Sequence, residues 1–483
     1  MPRQAVFFLI DTQSANCVGC YSGNSELKPP NIDRLAADGV RFDNAYTCSP
    51  VCGPARSAIM TGLYPHATGV LGNDQAPHAD LPTIGQRLQK EGFVTGYVGK
   101  WHLDGSDYFG DGRCAEGWDP DYWFDGRNYL DSLPDDHARS ISRLVHGPEE
   151  VKANGITEEF THAHRIADRA RAFIEAHRDE DFFLVVSIDE PHHPFICPEP
   201  FVSGFDDFEF SLGATGDDDL ASKPQSQREW ATHFQEGHGD LERREDGLVY
   251  KNPNYFACNS YSDYEVGRVI SAIDEHIPSS MVVYTSDHGD MFYRHRLNGK
   301  GPCSYEEITN IPFIVRWPDQ TQAGSQSASP VSHIDLVPTF LDYFGVDQPP
   351  LLQGKSLVAQ CQDPAHATND KVFIEFNRFE LDHDGFGGFT PIRTVFDGRY
   401  KLAINLLDSD EFYDLQEDPE EMNNLIENEA TAEIRDRLHD AILAWQGETR
   451  DILRTTIWGR RSWRDIEKST WGGPTRPRPF DDR

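Results

Sequence analysis

The sequence predicts an α/β fold, with helices flanking a large, mostly parallel central sheet and a smaller α+β domain at the C-terminal end. Apolar runs of strand length alternate along the chain with stretches whose apolar side chains recur at helical spacing. The strand-like runs are residues 5–10, 94–98, 182–187, 281–285 and 311–315. The helix-like stretches between them include residues 30–38 and 157–177. This alternation is typical of a parallel sheet, because each parallel strand needs a crossover to return the chain.

The pattern of strand-like and helix-like stretches changes after residue 365. Residues 372–376 and 400–406 look like strands, and residues 431–445 have the apolar spacing of an amphipathic closing helix. We therefore predict a catalytic domain over residues 1–365. A smaller domain over residues 366–483 is expected to contain a small antiparallel sheet and the closing helix.

Residues 203–250 form a polar and acidic stretch with little periodicity. This composition predicts a long surface excursion from the main fold. The charge run at residues 217–219 is typical of a solvated face rather than of a cation site.

The charge balance excludes one class of protein. The 483 residues include 44 basic and 80 acidic side chains, which gives a formal net charge of −36. A nucleic-acid-binding protein needs a basic surface to contact phosphates, so no nucleic-acid partner is expected.

The distribution of apolar residues and cysteines bears on localisation. The longest apolar runs fall short of the roughly 18 residues that a membrane span needs, and the run at residues 5–10 is too short for a signal peptide. The nine cysteines are an odd number, so at least one thiol stays unpaired and a disulfide framework is not expected. We expect no membrane association and a cytoplasmic protein, with a removed leader as the open alternative.

Polar residues follow several of the strand-like runs at the point where each run ends. These residues are Asp11, Lys100, His102, His192, Asp287 and His288. Ligands of open α/β sheets bind outside the carboxyl ends of the strands, so these side chains are predicted to meet in one site. The alternative is that each one is only the polar start of a loop.

Three of these residues suit a divalent metal ion. Asp11 and Asp287 offer hard oxygen ligands, and His288 offers an imidazole. Two carboxylates brought together without a cation would repel each other. The sequence therefore predicts a metal site that contains these residues.

The most specific local feature is the sequence Cys52-Gly53-Pro54-Ala55-Arg56 before a helix-like stretch. Proline is favoured in the first turn of a helix, where free backbone N–H groups and the helix dipole attract anions. Residue 52 would therefore face an anion-friendly site, with Arg56 one turn away. The alternative is a buried, unreactive cysteine beside a structural arginine.

This pentapeptide resembles the Cys-x-Pro-x-Arg motif of the type I, formylglycine-dependent sulfatases, a family of the alkaline phosphatase-like superfamily. The resemblance extends in the right order along nearly the whole chain. The other similar stretches are residues 31–36, 39–42, 99–102 (Gly-Lys-Trp-His), 191–195 (Pro-His-His-Pro-Phe), 286–289 (Ser-Asp-His-Gly), 299–300 with 305–307, and 412–415 with 418–420.

The resemblance implies a cofactor and a maturation partner. A formylglycine-generating enzyme would oxidise Cys52 to formylglycine, and calcium (Ca²⁺) would be held by Asp11, Asp287, His288 and the hydrated aldehyde at residue 52. A diol bound to a divalent cation loses a proton more easily and becomes the nucleophile. Attack on sulfur would give a covalent sulfated intermediate, from which the second hydroxyl expels sulfate.

The resemblance also implies roles for the remaining site residues. Arg56 and Lys100 would hold and polarise the formylglycine oxygen. Lys300 would contact a sulfate oxygen and the departing bridge oxygen. His102 and His192 are candidates for orienting the diol and for donating a proton to the leaving group, since imidazole titrates near working pH.

The chain departs from the family pattern at two positions of the metal site. Many sulfatases have two adjacent acidic residues after the first strand, whereas here Thr12 and Gln13 follow Asp11. A less negative site leaves the fourth ligand open, with magnesium or manganese as alternatives to calcium. His288 stands where many relatives have asparagine, a feature similar to phosphonate monoester hydrolases and choline-sulfatases.

The first hypothesis for function is a sulfatase, that is, a sulfuric ester hydrolase, acting on a sulfated small molecule or saccharide. A carbohydrate is expected because residues 125–129 and 386–389 mix aromatic, arginine, amide and glycine residues that suit a sugar, although they suit loop scaffolding equally well. One alternative is a phosphonate monoester or phosphodiester hydrolase with the same site. The other is a noncatalytic sulfated-glycan binder in which Cys52 stays a thiol.

Overall fold

The computed structural model describes most of the chain. The described residues are 2–23, 27, 30–142, 148–233, 241–245, 247–251, 253–380 and 388–464. Each helix among them is too short or too polar to cross a lipid bilayer.

The strands of the described ranges form four sheets. In chain order they are β1 (Gln4–Ile10), β2 (Val40–Phe42), β3 (Ala45–Tyr46), β4 (Val94–Gly99), β5 (Phe182–Ile188), β6 (Phe210–Ser211), β7 (Leu241–Arg244), β8 (Gly247–Tyr250), β9 (Met281–Ser286), β10 (Phe313–Arg316), β11 (Ser325–Ser327), β12 (Val331–Ser332), β13 (Val372–Phe376), β14 (Ile392–Phe396), β15 (Tyr400–Asn405) and β16 (Glu411–Asp414).

The α-helices in these ranges are between one turn and about seven turns long. They are α1 (Gly19–Ser22), α2 (Pro30–Asp38), α3 (Cys52–Thr61), α4 (Pro65–Thr68), α5 (Ile84–Lys90), α6 (Gly126–Asp131), α7 (Asp136–Ile141), α8 (Pro148–Ala153), α9 (His162–Ala176), α10 (Gln225–His233), α11 (Pro253–His276), α12 (Glu306–Thr309), α13 (Leu336–Phe344), α14 (Val358–Gln362) and α15 (Ala432–Glu448).

The largest sheet in the described part of the chain has seven strands, in the order β11, β2, β10, β9, β1, β5, β4. Strands β9, β1, β5 and β4 are parallel, and β10 is antiparallel to both of its neighbours. Ile10 is in register with Ser286 on one side and Ile188 on the other, so the carboxyl ends of these strands are aligned. The predicted large, mostly parallel sheet is confirmed.

Alternate residues of the central strands pack into two apolar cores on opposite faces of the sheet. Phe8 and Ile10 of β1 lie in a core with residues of α2, α9 and α11. Phe7 and Leu9 lie in the other core, with residues of α3, α5 and α13. Because helices cover both faces, these strands are apolar at every position rather than at alternate positions.

The C-terminal part contains the predicted small antiparallel sheet and closing helix. Strands β13 to β16 pair in sequence order, each antiparallel to the next. Leu438 and Ile442 of α15 pack against Val395 and Ile404 of that sheet. The smaller α+β unit is confirmed, whereas its boundary at residue 365 stays a prediction.

The surface-excursion prediction for residues 203–250 is wrong for the described part of that stretch. Strands β6, β8 and β7 form a small antiparallel sheet, and helix α10 follows β6 in the chain. Trp230 of α10 is fully buried, and Asp218 is also buried, beside His295. The apolar residues of this stretch are spaced too irregularly to produce a helical or strand period, which is why the sequence pattern missed them.

Gly99 ends β4 in a conformation that a side chain would disturb. Its φ is +108°, and a Cβ atom would lie 1.8 Å from the carbonyl oxygen of Ser187 in β5. The substitution Gly99→Ala must move one of the two strands, so we expect the free energy of unfolding in urea to fall by about 3 kcal/mol or more.

Gly92→Ala is the matched control for this prediction. Gly92 has a φ of +90°, but no described atom lies within 4 Å of its Cβ position. Backbone strain alone should cost about 1 kcal/mol there. Equal losses in the two variants would contradict the close contact between β4 and β5.

Candidate active site

The side chains that follow the parallel strands meet at one edge of the sheet. Backbone hydrogen bonds continue past the strands: Asp11 donates to Ile188 at 3.0 Å, and Asp287 donates to Ile10 at 3.1 Å. Lys100 likewise donates to Ser187 at 3.0 Å. The loops therefore leave the sheet side by side. All nine residues predicted for the site lie here: Asp11, Cys52, Arg56, Lys100, His102, His192, Asp287, His288 and Lys300.

Arg56 holds the two buried carboxylates together. Its Nη2 donates to Asp11 Oδ2 at 2.9 Å, and its Nε donates to Asp287 Oδ2 at 2.9 Å. Its Nη1 donates to the Lys100 carbonyl at 2.7 Å and to Ser187 Oγ at 2.9 Å. Arg56 is fully buried, so these charge-assisted bonds are protected from water. Because Arg56 lies one turn into α3, the same bonds place Cys52 above the carboxylates.

Four side chains form a cluster with the size of a metal site. One ligand atom from each of Asp11, Cys52, Asp287 and His288 lies within 4.8 Å of the others, and all four residues are buried. Cys52 Sγ lies 3.1 Å from His288 Nε2 and 3.8 Å from Asp11 Oδ1. Two carboxylates and an imidazole match the preferences of a divalent cation, so this donor set fits the predicted metal.

The partners of His288 fix the direction in which its ring can bind a cation. Its Nδ1 lies 2.8 Å from the carbonyl oxygen of Gly289, which only accepts hydrogen bonds. Nδ1 therefore carries a proton, and Nε2 is the nitrogen that faces the cluster, where it can bind a cation once it is deprotonated. Asp287 is held in turn by the backbone N–H groups of Thr12 and His288.

The two residues after Asp11 differ in their relation to the cluster. Thr12 Oγ1 donates to Asp11 Oδ1 at 2.7 Å, so the hydroxyl adjoins the cluster. The Gln13 side chain donates to Asn259 and accepts from Tyr284, both at 2.5 Å. The Gln13 amide is therefore committed elsewhere, and Thr12 is the better placed of the two to complete a metal shell.

Two lysines bring positive charge to the cluster from different sides. Lys300 Nζ lies 2.7 Å from Cys52 Sγ, and Lys100 Nζ lies 2.7 Å from Asp11 Oδ2. Burial and Asp11 act to raise the pKa of the Cys52 thiol, but Lys300 and Lys100 outweigh them and hold that pKa well below its usual range. Residue 52 thus lies where negative charge is stabilised.

His192 is a neutral hydrogen-bond acceptor towards the site. Its Nδ1 lies 2.7 Å from the His193 carbonyl and must donate to it, which leaves Nε2 to accept from Lys300 Nζ at 3.3 Å. Burial, together with Lys100, lowers the pKa of His192 to about 3.

His102 differs from His192 in its charge preference. Its Nε2 lies 3.3 Å from Asp74 Oδ1, and it is also within hydrogen-bonding reach of Cys52. Burial acts to lower the pKa of His102, but the bonds to Asp74 and Cys52 raise it above the usual value. The sequence motifs predicted equivalent histidines, whereas the structure distinguishes a neutral His192 from a more basic His102.

Tyr108 and Asp189 belong to the site but were missed by sequence reasoning. The Tyr108 hydroxyl donates to Asp189, its ring stacks on His192 at 4.8 Å, and Lys100 Nζ lies 3.8 Å from its ring centre. Asp189 directly follows β5, so the strand-end rule could have found it. Tyr108 lies in an irregular loop and gave no such signal.

Two further histidines near these loops, His193 and His295, differ in position. His193 stacks on His192 at 4.2 Å and lines the cavity above Cys52. Buried His295 instead lies 2.7 Å from Asp218 and stacks on Tyr305, in a structural position.

A cavity of about 300 Å³ lies above Cys52. Its lining residues come from several loops of the main fold and from the segment after β13: Cys52, Asn73, Asp74, His102, Tyr108, His192, His193, Lys300, Phe379 and Glu380. Cys52, His102, His192 and Lys300 therefore share one accessible space.

One of the two loops expected to contact a sugar has structural roles instead. Asp125 caps α6, and Tyr129 donates to the Phe160 carbonyl, so residues 125–129 are scaffolding. Of residues 386–389, the first two lie outside the described residues.

Two family models match overlapping parts of this chain. The Sulfatase family model matches residues 3–346, and the model described as N-sulphoglucosamine sulphohydrolase, C-terminal, matches residues 295–448. The chain is 45% identical to the uncharacterized sulfatase YidJ of Escherichia coli K12, over 99% of this chain and 93% of that protein. It is 27% identical to an N-acetylglucosamine-6-O-sulfatase of Bacteroides thetaiotaomicron, over 87% of this chain and 82% of that protein.

Solved structures share the fold at lower identity. BT4656, in complex with its substrate D-glucosamine-2-N,6-O-disulfate, has a TM-score of 0.75 at 22% identity, covering 93% of this chain and 99% of its own. A phosphonate monoester hydrolase from Silicibacter pomeroyi has a TM-score of 0.76 at 21% identity, covering 93% of this chain and 96% of its own.

Removing the guanidinium of Arg56 should destabilise the protein. In Arg56→Met the carboxylates of Asp11 and Asp287 lose a shared cation, and we expect the free energy of unfolding, measured in urea, to fall by about 3–5 kcal/mol. Added calcium should restore part of this loss, since a ligand that binds the native state stabilises it. A loss below about 1 kcal/mol would contradict the claim that Arg56 holds the two carboxylates together, because even an average substitution costs that much.

Proposed function

Because the chain belongs to the sulfatase family and is thus a sulfuric ester hydrolase, we propose that it releases sulfate from a sulfated carbohydrate through a formylglycine made from Cys52. The observation that carries the proposal is the position of Cys52. This buried residue touches Lys300 and lies within one cluster with two carboxylates and an imidazole. An anionic ester needs such a concentration of positive charge before a nucleophile can approach it.

The proposed metal is calcium, held by Asp11, Asp287, His288 and residue 52, with magnesium or manganese as alternatives. A divalent cation there would lower the pKa of a hydroxyl bound to it and stabilise negative charge that develops during hydrolysis. Arg56 holds Oδ2 of both carboxylates, and Lys100 also contacts Oδ2 of Asp11. The Oδ1 atoms of Asp11 and Asp287 would then be the oxygens that a cation could bind. These contacts are what a preformed site requires.

Conversion of Cys52 is proposed to need a formylglycine-generating enzyme during maturation. The hydrated aldehyde would supply the nucleophilic hydroxyl. Residue 52 begins α3, where the helix dipole and Lys300 favour negative charge. Gly53 N–H donates to Asn73 at 2.9 Å and fixes the backbone beside it.

Lys300 and His192 are proposed to act at the sulfate and at the departing oxygen. Lys300 Nζ reaches both Cys52 Sγ and His192 Nε2, so its ammonium can contact a sulfate oxygen placed between them. His192, which is neutral, orients Lys300 by accepting a hydrogen bond from its ammonium group. The leaving alcohol can then take its proton from the Lys300–His192 pair.

His102 is proposed to act on residue 52 itself. Its bond to Asp74 orients the ring, and its raised pKa favours holding a proton next to the group at residue 52. Protons would thus be exchanged at two different oxygens, by His102 at residue 52 and by Lys300, which His192 orients, at the leaving group.

Parallel assays with sulfate and phosphonate esters test whether the enzyme prefers a sulfur or a phosphorus centre. Protein made together with a formylglycine-generating enzyme should hydrolyse para-nitrophenyl sulfate and sulfated monosaccharides, with a kcat/KM at least about tenfold above that for para-nitrophenyl phenylphosphonate, since a site discriminates by differences in transition-state binding. A clear preference for the phosphonate would overturn the sulfatase assignment of this site.

Replacing Cys52 should abolish turnover without loss of the fold. Cys52→Ala is expected to reduce sulfate release to background while costing about 1–2 kcal/mol of unfolding free energy for a removed buried thiol. Mass spectrometry of the wild-type peptide that contains residue 52 should find an aldehyde in place of the thiol.

Cys361→Ala is the matched control, because Cys361 is equally buried but lies in α14. It should show a similar stability cost and wild-type turnover. Wild-type turnover in Cys52→Ala would remove residue 52 from the chemistry.

A further inference from the structure

The loop that carries Lys300 has a backbone conformation that its own residues disfavour. We call residues 291–301 the Lys300 loop. Four of its non-glycine residues have left-handed backbones, with φ between +47° and +64°: Phe292, Tyr293, His295 and Arg296. Side chains strain such a backbone, so it persists only where surrounding structure fixes it. The loop must therefore be held by other parts of the chain.

Trp230 of α10 contacts the Lys300 loop on both sides of Lys300. Its indole Nε1–H donates to the carbonyl oxygen of Asn298 at 3.1 Å. A Cβ atom at Gly301 would lie 2.9–3.1 Å from three atoms of the six-membered ring of the indole. Because Gly301 has no side chain, its backbone can rest on that ring. Trp230 is fully buried, so both contacts are shielded from water.

Further contacts between the same part of the chain and the loop surround this position. Asp218 Oδ2 lies 2.7 Å from Nδ1 of His295, which is one of the left-handed residues. Trp230 belongs to one apolar cluster with Met291 and Leu297 of the loop. Asp218 and Trp230 both lie between β6 and β7 in the chain. That segment therefore supplies the support that the loop needs.

Helix α10 is itself anchored to the C-terminal unit. Gln227, one turn before Trp230, donates from Nε2 to Glu411 Oε2 of β16 at 2.8 Å, and its Oε1 accepts from the Tyr305 hydroxyl at 2.7 Å. Ser226 N–H donates to Asp408 Oδ2 at 2.8 Å. The indole ring therefore offers the Lys300 loop a fixed surface.

The position of the loop decides what the Lys300 ammonium group reaches. Its Nζ lies 2.7 Å from Cys52 Sγ, 3.3 Å from His192 Nε2 and 3.4 Å from His288 Nε2. A shift of the loop would change all three distances. Misplacing a catalytic group by about 1 Å can reduce a rate by about a hundredfold.

We propose that Trp230 is a positioning residue for Lys300: its indole holds the loop so that the ammonium group meets the oxygen of the departing alcohol. The inference rests on the role proposed above for Lys300 in sulfate-ester hydrolysis. Trp230 is not among the described residues that line the cavity above Cys52, so its effect on the reaction must pass through the loop.

Two aryl sulfates with leaving groups of different basicity measure how well Lys300 is placed. Para-nitrophenolate departs without a proton, whereas the more basic phenolate of phenyl sulfate depends on the Lys300 ammonium group. The measurement is the ratio of kcat/KM for para-nitrophenyl sulfate to kcat/KM for phenyl sulfate, on protein made together with a formylglycine-generating enzyme. Lys300→Ala should raise this ratio at least about tenfold. Trp230→Phe, which removes the Nε1 donor and part of the ring, should raise it at least about threefold.

Trp458→Phe is the matched control. Trp458 is also fully buried, and its Nε1–H likewise donates to a backbone carbonyl, that of Leu453, at 2.9 Å. It belongs to the apolar cluster formed by α15 and the C-terminal sheet. This substitution should lower the free energy of unfolding, as Trp230→Phe does, but leave the ratio of the two kcat/KM values unchanged.

A change on the other side of the contact gives a second test. The backbone of Gly301 is not left-handed, so Gly301→Ala adds only a methyl group against the indole ring. It should also raise the ratio at least about threefold. The smaller ring of Trp230→Phe leaves room for that methyl group, so the double variant should raise the ratio by less than the product of the two single increases. A general loss of stability would not produce this coupling.

The outcomes separate this inference from the proposed function. With a raised ratio in Lys300→Ala, the role of Trp230 alone would be overturned by an unchanged ratio in Trp230→Phe, by an equal increase in Trp458→Phe, or by increases that simply multiply in the double variant. If Trp230→Phe does not fold, an unchanged ratio in Gly301→Ala overturns that role and a raised ratio supports it.

Two other results would reach further. An unchanged ratio in Lys300→Ala would overturn the proposed role of Lys300 and this inference with it. Absence of sulfate release from both esters by the wild-type protein would overturn the proposed function as a whole.

Discussion

Two carboxylates buried side by side are the constraint on which the rest of this site depends. Asp11 and Asp287 follow adjacent parallel strands, and the aligned register gives neither of them access to bulk water. Buried carboxylates require compensation by cations. Arg56 supplies one positive charge to both, and Lys100 supplies another that Asp11 shares with Asp189. The proposed calcium would add positive charge between the carboxylates and residue 52.

This charge compensation also explains how the site is assembled. Arg56 can reach the carboxylates only if α3 begins above the strand ends, and that position puts Cys52 within reach of Lys300 and His288. The sheet supplies the acidic ligands, the helix supplies the reactive residue, and irregular loops supply the lysine and the histidines. A sulfate ester would therefore meet concentrated positive charge inside a protein of strongly negative net charge.

Much of this arrangement could be predicted from the sequence, because strands buried on both faces have continuous apolar runs with functional residues at their carboxyl ends. β1, β4, β5 and β9 were identified in this way, and Asp189 could have been. Tyr108 and Asp74 could not, because long loops without periodicity bring them to the site. The contrasting charge preferences of His102 and His192 depend on tertiary neighbours that no sequence spacing encodes. These are the bonds of His102 to Asp74 and Cys52, and the burial of His192 near Lys100. Glu380 reaches the cavity from the segment after β13, a tertiary contact that the local pattern leaves open.

The measurement that tests the central claim most directly is anomalous diffraction from crystals grown with calcium, of protein made together with a formylglycine-generating enzyme. The account predicts a calcium peak enclosed by Asp11, Asp287, His288 and residue 52, with density for a hydrated aldehyde at residue 52. Another group of acidic side chains in the described part of the chain, Asp104, Asp111 and Asp125, could also hold a cation. A calcium peak there, with none beside Asp11 and a thiol at residue 52, would contradict the account.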